Sequence, residues 1–113
     1  MLTISLDQIM EKCSSLPICE ERRITDDYKE LVFYTKDTEH WNKMLTEALG
    51  PALKPQGVKP TPDIQEIAKN YGGIHFNQTL YKYDNQDKTI IIMFWPWQDN
   101  AHTTMKMISL NKF

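Results

Sequence analysis

Two rhythms of hydrophobic and polar positions run along this chain, and they predict its elements. The longest unbroken apolar run is Ile90-Ile91-Ile92-Met93-Phe94-Trp95. It has strand length, far short of the ~20 residues of a membrane helix. Its consecutive isoleucines branch at Cβ and suit a pleated surface. Apolar residues on both alternations predict an interior strand covered on both faces.

A period near 3.6 marks three helices. Leu6, Ile9, Met10 and Cys13 share one face, with Ser5 and Gln8 spaced as a capping box, so a helix is predicted over 6–15, ahead of Pro17. Trp41, Met44, Leu45, Ala48 and Leu49 form the clearest stripe. Asp37 or Thr38 caps it and Gly50-Pro51 stops it. Ile64, Ile67, Ala68 and Tyr71 form the third, entered through Thr61-Pro62 and closed by Gly72-Gly73. Strands are predicted over 18–24, 28–35, 74–83, 88–95 and 102–110. Thr25-Asp26-Asp27 turns the first pair, and the run Glu20-Glu21-Arg22-Arg23 suits a sheet edge. The proline-rich stretch from Gly50 to Pro62 predicts an extended crossing segment. The result is a single α+β domain over 1–113, ordered α-β-β-α-α-β-β-β. Its five-stranded sheet is expected to be mostly antiparallel, with helices packed chiefly on one face.

Pairing the last three strands assigns their faces. A two-residue turn between Asp84 and Asp87 places Tyr81 opposite Ile90 and Phe76 opposite Trp95. Aligning the methionines places Met93 opposite Met105 and Ile91 opposite Met107. One face then gathers Ile74, Phe76, Leu80, Ile91, Met93, Trp95, Met105 and Met107, with Gln78 as its polar member; it is expected to pack on the helices. The other face mixes apolar and hydrogen-bonding groups, among them His75, Asn77, Tyr81, Phe94, His102 and Thr104. Three coverings suit it: the first hairpin with Arg22-Arg23, a second copy of the chain, or a ligand. Trp97 lies in the turn beyond Pro96, either as an exposed contact residue or folded back over the core rim.

Charge narrows the partners. Thirteen basic and 15 acidic residues give a net charge of −2. The basic residues are scattered, which argues against nucleic acid and against a polybasic membrane anchor. With no leader and no spanning segment in view, the cytoplasm is the expected compartment.

Reactive residue types are few. His40, His75 and His102 lack metal-site spacing, so no metal is expected. No nucleotide or cofactor fingerprint occurs, and Gly57 lies in no phosphate loop. Cys13 and Cys19 lack redox spacing; Cys13 falls on the apolar stripe of the first helix. An enzyme would use His75 or His102 as general base with Asp99 as orienter, and Asn77 or Tyr81 as donors. The leading expectation is a non-enzymatic binding or protein-interaction module. Its site would comprise His75, Asn77, Tyr81, Phe94, Trp97, His102 and Thr104, and its partner a protein, a small molecule or a second copy. The alternatives are a small enzyme with a His75/His102 groove and a thiol or metal sensor.

Overall fold

A computed structural model describes residues 5–85 and 87–111. The elements come in the expected order. Helix α1 spans Leu6–Lys12, strands β1 and β2 span Glu20–Ile24 and Tyr28–Tyr34, and helices α2 and α3 span Thr38–Leu49 and Pro62–Ala68. Strands β3, β4 and β5 span Thr79–Asp84, Lys88–Pro96 and His102–Asn111. The five strands form one sheet in the order β1-β2-β5-β4-β3, with every neighbouring pair antiparallel. The isoleucine-rich strand β4 is interior, and β5 takes the centre.

The local rules that start each helix are visible. Ser5 and Gln8 form the capping box of α1. Thr61 caps α3 through the Ile64 N–H, with Pro62 at the first helical position. Gly50 ends α2 at φ +89°, where a side chain would be strained.

Helices lie on both sides of the sheet, two on one and one on the other. On what we call the inner face, α1 and α2 pack Leu6, Ile9, Cys13, Trp41 and Leu45 on Leu31, Phe33, Tyr81, Ile90, Ile92, Phe94, Met105 and Met107. Phe33 stacks on Trp41 at 5.1 Å and meets Phe94 edge-on at 5.2 Å. On the outer face, α3 covers Ile74, Leu80, Ile91, Met93 and Ile108 with Ile64, Ile67 and Ala68. Each alternation of β4 is therefore buried against a different layer.

The face assignment needs correction at β5. Phe94 pairs with Met105 and Ile92 with Met107, one residue away from the register that the aligned methionines suggest. A one-residue slip turns every side chain over. Met105 and Met107 thus join Tyr81 and Phe94 beneath α1 and α2. The turn dictates the slip: Trp97 N–H donates to the His102 carbonyl at 2.8 Å, closing Gln98-Asp99-Asn100-Ala101. Asn100 takes the left-handed conformation at φ +58°, and Asp99 Oδ1 accepts from the Ala101 and His102 N–H groups. In the β3–β4 hairpin Tyr81 faces Ile92 rather than Ile90. Asn85 widens that turn by accepting from the Asp87 and Lys88 N–H groups. This two-residue shift leaves the faces unchanged.

The start of β3 also differs. Residues 74–78 form a turn, and Phe76, expected in the core, is 60% exposed. Lys54 is the cause. It pairs with Leu80 at the outer edge of β3, and its buried ammonium donates to the carbonyls of Pro55, Phe76 and Gln78. Those acceptors offset much of the cost of burying a charge. Burial alone pulls the Lys54 pKa below its ordinary value.

Candidate functional site

The sequence-derived contact residues separate into three places. Tyr81 and Phe94 belong to the inner-face core, at 2% and 1% exposure. The Phe94 ring has no solvent-facing side to present, because the β5 register puts α1 and α2 over it. The Tyr81 hydroxyl donates to Asn42 Oδ1 at 2.6 Å. It lies at the floor of a shallow cleft of about 270 Å³ that is also lined by Asn42, Thr46, Pro51, Pro55 and Gln56. Burial raises its pKa.

His75 and Asn77 sit exposed on the turn leading into β3. The backbone there is pinned, since the His75 N–H donates to Gln78 Oε1 and the Gln78 N–H to the His75 carbonyl. His75 therefore flanks the edge strand and is absent from the surroundings of His102.

Trp97, His102 and Thr104 do come together, on the outer face where β2, β5 and the β4–β5 turn meet. Trp97 folds back over the sheet, and its indole N–H donates to Thr104 Oγ1 at 2.8 Å. The His102 ring lies 5.0 Å from the Trp97 ring and 5.9 Å from that of Tyr34, its cross-strand neighbour. His102 Nδ1 meets Asp99 Oδ2 at 2.6 Å. A carboxylate only accepts, so Nδ1 carries the proton and Nε2 is left as the acceptor of the neutral ring. Asp99 is held below the usual carboxylate range by the Ala101 N–H and by His102.

Strand β1 contributes the cations. A bulge between Glu21 and Arg23 interrupts its pairing with β2. It brings two consecutive arginines onto one face: Arg22 lies over the Trp97 ring at 5.2 Å and Arg23 over the Tyr28 ring at 5.4 Å. Arg22 Nε also bonds Glu20 at 2.9 Å, and the Tyr28 hydroxyl donates to Glu30 at 2.7 Å. Desolvation, with that Glu30 bond added, pushes the Tyr28 pKa up to about 12. Tyr34 is 39% exposed and Glu20, Arg22 and Arg23 are exposed, so no helix of the described residues roofs this half of the sheet.

Periodicity points to His102 and Thr104 through their alternation, and Trp97 and Asp99 stand out through their place in the turn beyond Pro96. It misses Tyr34 as a neighbour of His102, because the β2–β5 pairing joins residues 68 positions apart. It offers Arg22-Arg23 as one covering of the mixed face but not the contact of Arg22 with Trp97, because a bulge leaves no pattern in the sequence.

Neither thiol chemistry nor metal binding gains support from the geometry. Cys13 is buried and Cys19 exposed, both unpaired. Desolvation pushes the Cys13 thiol up to about 11. An alkylating reagent at pH 8 is expected to modify Cys19 and spare Cys13 until the protein unfolds; mass spectrometry of the peptides reads this directly. Among the described residues no three His, Cys, Asp or Glu side chains converge as a metal site. No helix among them is long and apolar enough to cross a membrane. Comparison with protein families, with curated proteins and with solved structures gives no match.

Proposed function

We propose that this protein is a non-enzymatic binding module whose contact surface is the unroofed half of the outer sheet face, centred on Trp97. One observation carries the reading. Trp97, Tyr34, His102 and Arg22 form a contiguous cluster held by β1, β2, β5 and the β4–β5 turn, on the part of the outer face outside the α3 cluster. Tryptophan, tyrosine and arginine are the residues that dominate contact energies. Strands and a closed turn hold them in place before any partner arrives, which lowers the ordering cost of binding. Within the seven-residue surface expected from the sequence, this reading keeps Trp97 and His102 as contacts, with Thr104 buried beneath them as the acceptor that fixes the Trp97 ring. The occupant is a protein segment or a small molecule that uses rings and charge together; self-association through this face belongs to the same reading.

A screen of small aromatic and charged compounds and short peptides by nuclear magnetic resonance tests it. Binders are expected to move the Trp97 indole N–H resonance and the His102 ring signals. Binders that leave these signals still and instead move residues of the Asn42–Tyr81 cleft would contradict it.

A second reading has one observation in its favour, the 2.6 Å bond between His102 and Asp99. It is the arrangement of a general base with its orienter. An acid–base enzyme built on it would lose at least 100-fold in rate in a His102→Gln variant. The binding reading instead expects affinity, and no turnover, to respond.

A further inference from the structure

Among the described residues four aromatic rings carry a cation over them, and all four lie on the outer face. They are Trp97 under Arg22, Tyr28 under Arg23, Tyr34 under Lys36 at 5.8 Å, and Trp95 under Lys106 at 3.7 Å. A chain of this length is expected to show one or two such pairs. Their common face crowds rings and cations onto a single surface.

The charge on this face is uneven in a useful way. Its carboxylates are engaged: Glu20 and Glu30 both pair with Arg22, at 2.9 and 3.9 Å, Glu30 also accepts from Tyr28, and Asp99 bonds His102. Among the described residues no carboxylate pairs with Arg23 or Lys36. An overall acidic chain therefore keeps two exposed cations without a carboxylate, Arg23 and Lys36, on the face that carries the half-buried Trp97 and His102 rings and the exposed Tyr34 ring. The basic residues come from positions 22, 23, 36 and 106 and converge only in the fold. Scattered in sequence, they give no basic stripe, which is why charge alone argues against a polyanion.

Resting on the reading of this surface as a contact site, we propose that it binds single-stranded nucleic acid. Bases would stack on the Trp97–His102–Tyr34 platform, and phosphates would be held by Arg22, Arg23 and Lys36. An acidic peptide would use the cations and leave the rings idle; a nucleotide uses both, since each base offers a π face and each linkage a charge. The cations act as placeholders. A base takes the ring face, and the displaced guanidinium or ammonium swings on its flexible stem to the adjoining phosphate. Arg23 and Lys36 are exposed and free to make that exchange, and Arg22 makes it by giving up Glu20 and Glu30 for the phosphate.

The test is fluorescence anisotropy of a labelled oligouridylate decamer with the full chain at low salt. Saturable binding is expected, and its logarithmic salt dependence should have a slope of about −2, from three neutralised phosphates. Tyr34→Ala and the Arg23→Ala/Lys36→Ala pair should each weaken it by about tenfold or more. All three positions are on the surface, so circular dichroism should show their fold intact. Absence of binding at low salt, indifference to Tyr34→Ala, or equal competition by a polyglutamate decamer would each overturn the proposal. If oligouridylate fails while other compounds still move the Trp97 indole signal, the nucleic-acid assignment falls and the contact site stands. If nothing moves that signal, both fall.

Discussion

Phe94→Ala is expected to destabilise the protein by about 3–5 kcal/mol, as for other buried aromatic truncations. The ring touches Phe33 and Tyr81 and is 1% exposed. Removing it opens a cavity among rings that also support Trp41, and α2 has no means of collapsing onto the sheet while β-sheet pairing holds Phe33 in place. Urea denaturation followed by circular dichroism measures the loss as a shift of the midpoint. Tyr34→Ala, on the opposite face of the sheet, should stay within about 0.5 kcal/mol of the parent, as expected of a surface position. A loss below about 1 kcal/mol for Phe94→Ala would mean that the ring is solvated and that β5 lies in the other register.

The second large effect is expected at Gly72. Its φ is +101°, and a Cβ built there would lie 2.1 Å from the outer edge of the Trp95 indole. That ring cannot swing clear easily, because Lys106 covers it at 3.7 Å and is itself anchored to the Tyr71 carbonyl. Gly72→Ala should therefore cost about 2–4 kcal/mol, combining left-handed strain with overpacking. Gly73 has a similar φ of +80° but open space around it. Gly73→Ala should show only the backbone part, about 1–2 kcal/mol. Comparing the two thermal unfolding curves isolates the steric part, and trimming Trp95 to leucine in the Gly72→Ala background should recover some of it. Equal losses at the two glycines would contradict the packing described here.

These two sites show where reading the chain by its rhythms succeeds and where it stops. Periodicity finds each helix because the stripes of α1, α2 and α3 face a layer of constant chemistry. It finds β4 because Ile90 to Trp95 is buried on both sides. It misplaces β5 because Met105 and Met107 alternate with Thr104, Lys106 and Ile108, and a strand with apolar residues on both alternations fits either register. The deciding information lies in the turn, where Asp99 and Asn100 close a four-residue loop by hydrogen bonds and a left-handed residue. The turn at 74–78 is hidden for a different reason. Its shape is imposed by Lys54, more than 20 positions away, and a lysine in a proline-rich segment gives no hint that its ammonium will be buried.

The site was legible in part for the same physical reasons. His102 and Asp99 are neighbours in one turn, so their bond is local and their spacing suggests it. Trp97 and Thr104 are brought together by the register of a single hairpin. Arg22 and Tyr34 arrive through long-range pairing and a bulge, which only the assembled sheet reveals. The surface is thus half local and half tertiary, and its exposed part depends on α3 stopping short of β1 and β2.

The claim on which the rest depends is that the two sheet faces are unequal, one sealed by α1 and α2, the other open around Trp97. Solvent paramagnetic relaxation of aromatic side-chain protons, using a soluble gadolinium chelate, tests it most directly. Strong relaxation is expected for the rings of Tyr34 and His102 and for the outward edge of Trp97, with little for Tyr81 and Phe94. Protected Tyr34 and His102 rings together with a relaxed Phe94 would place β5 the other way up and contradict the account.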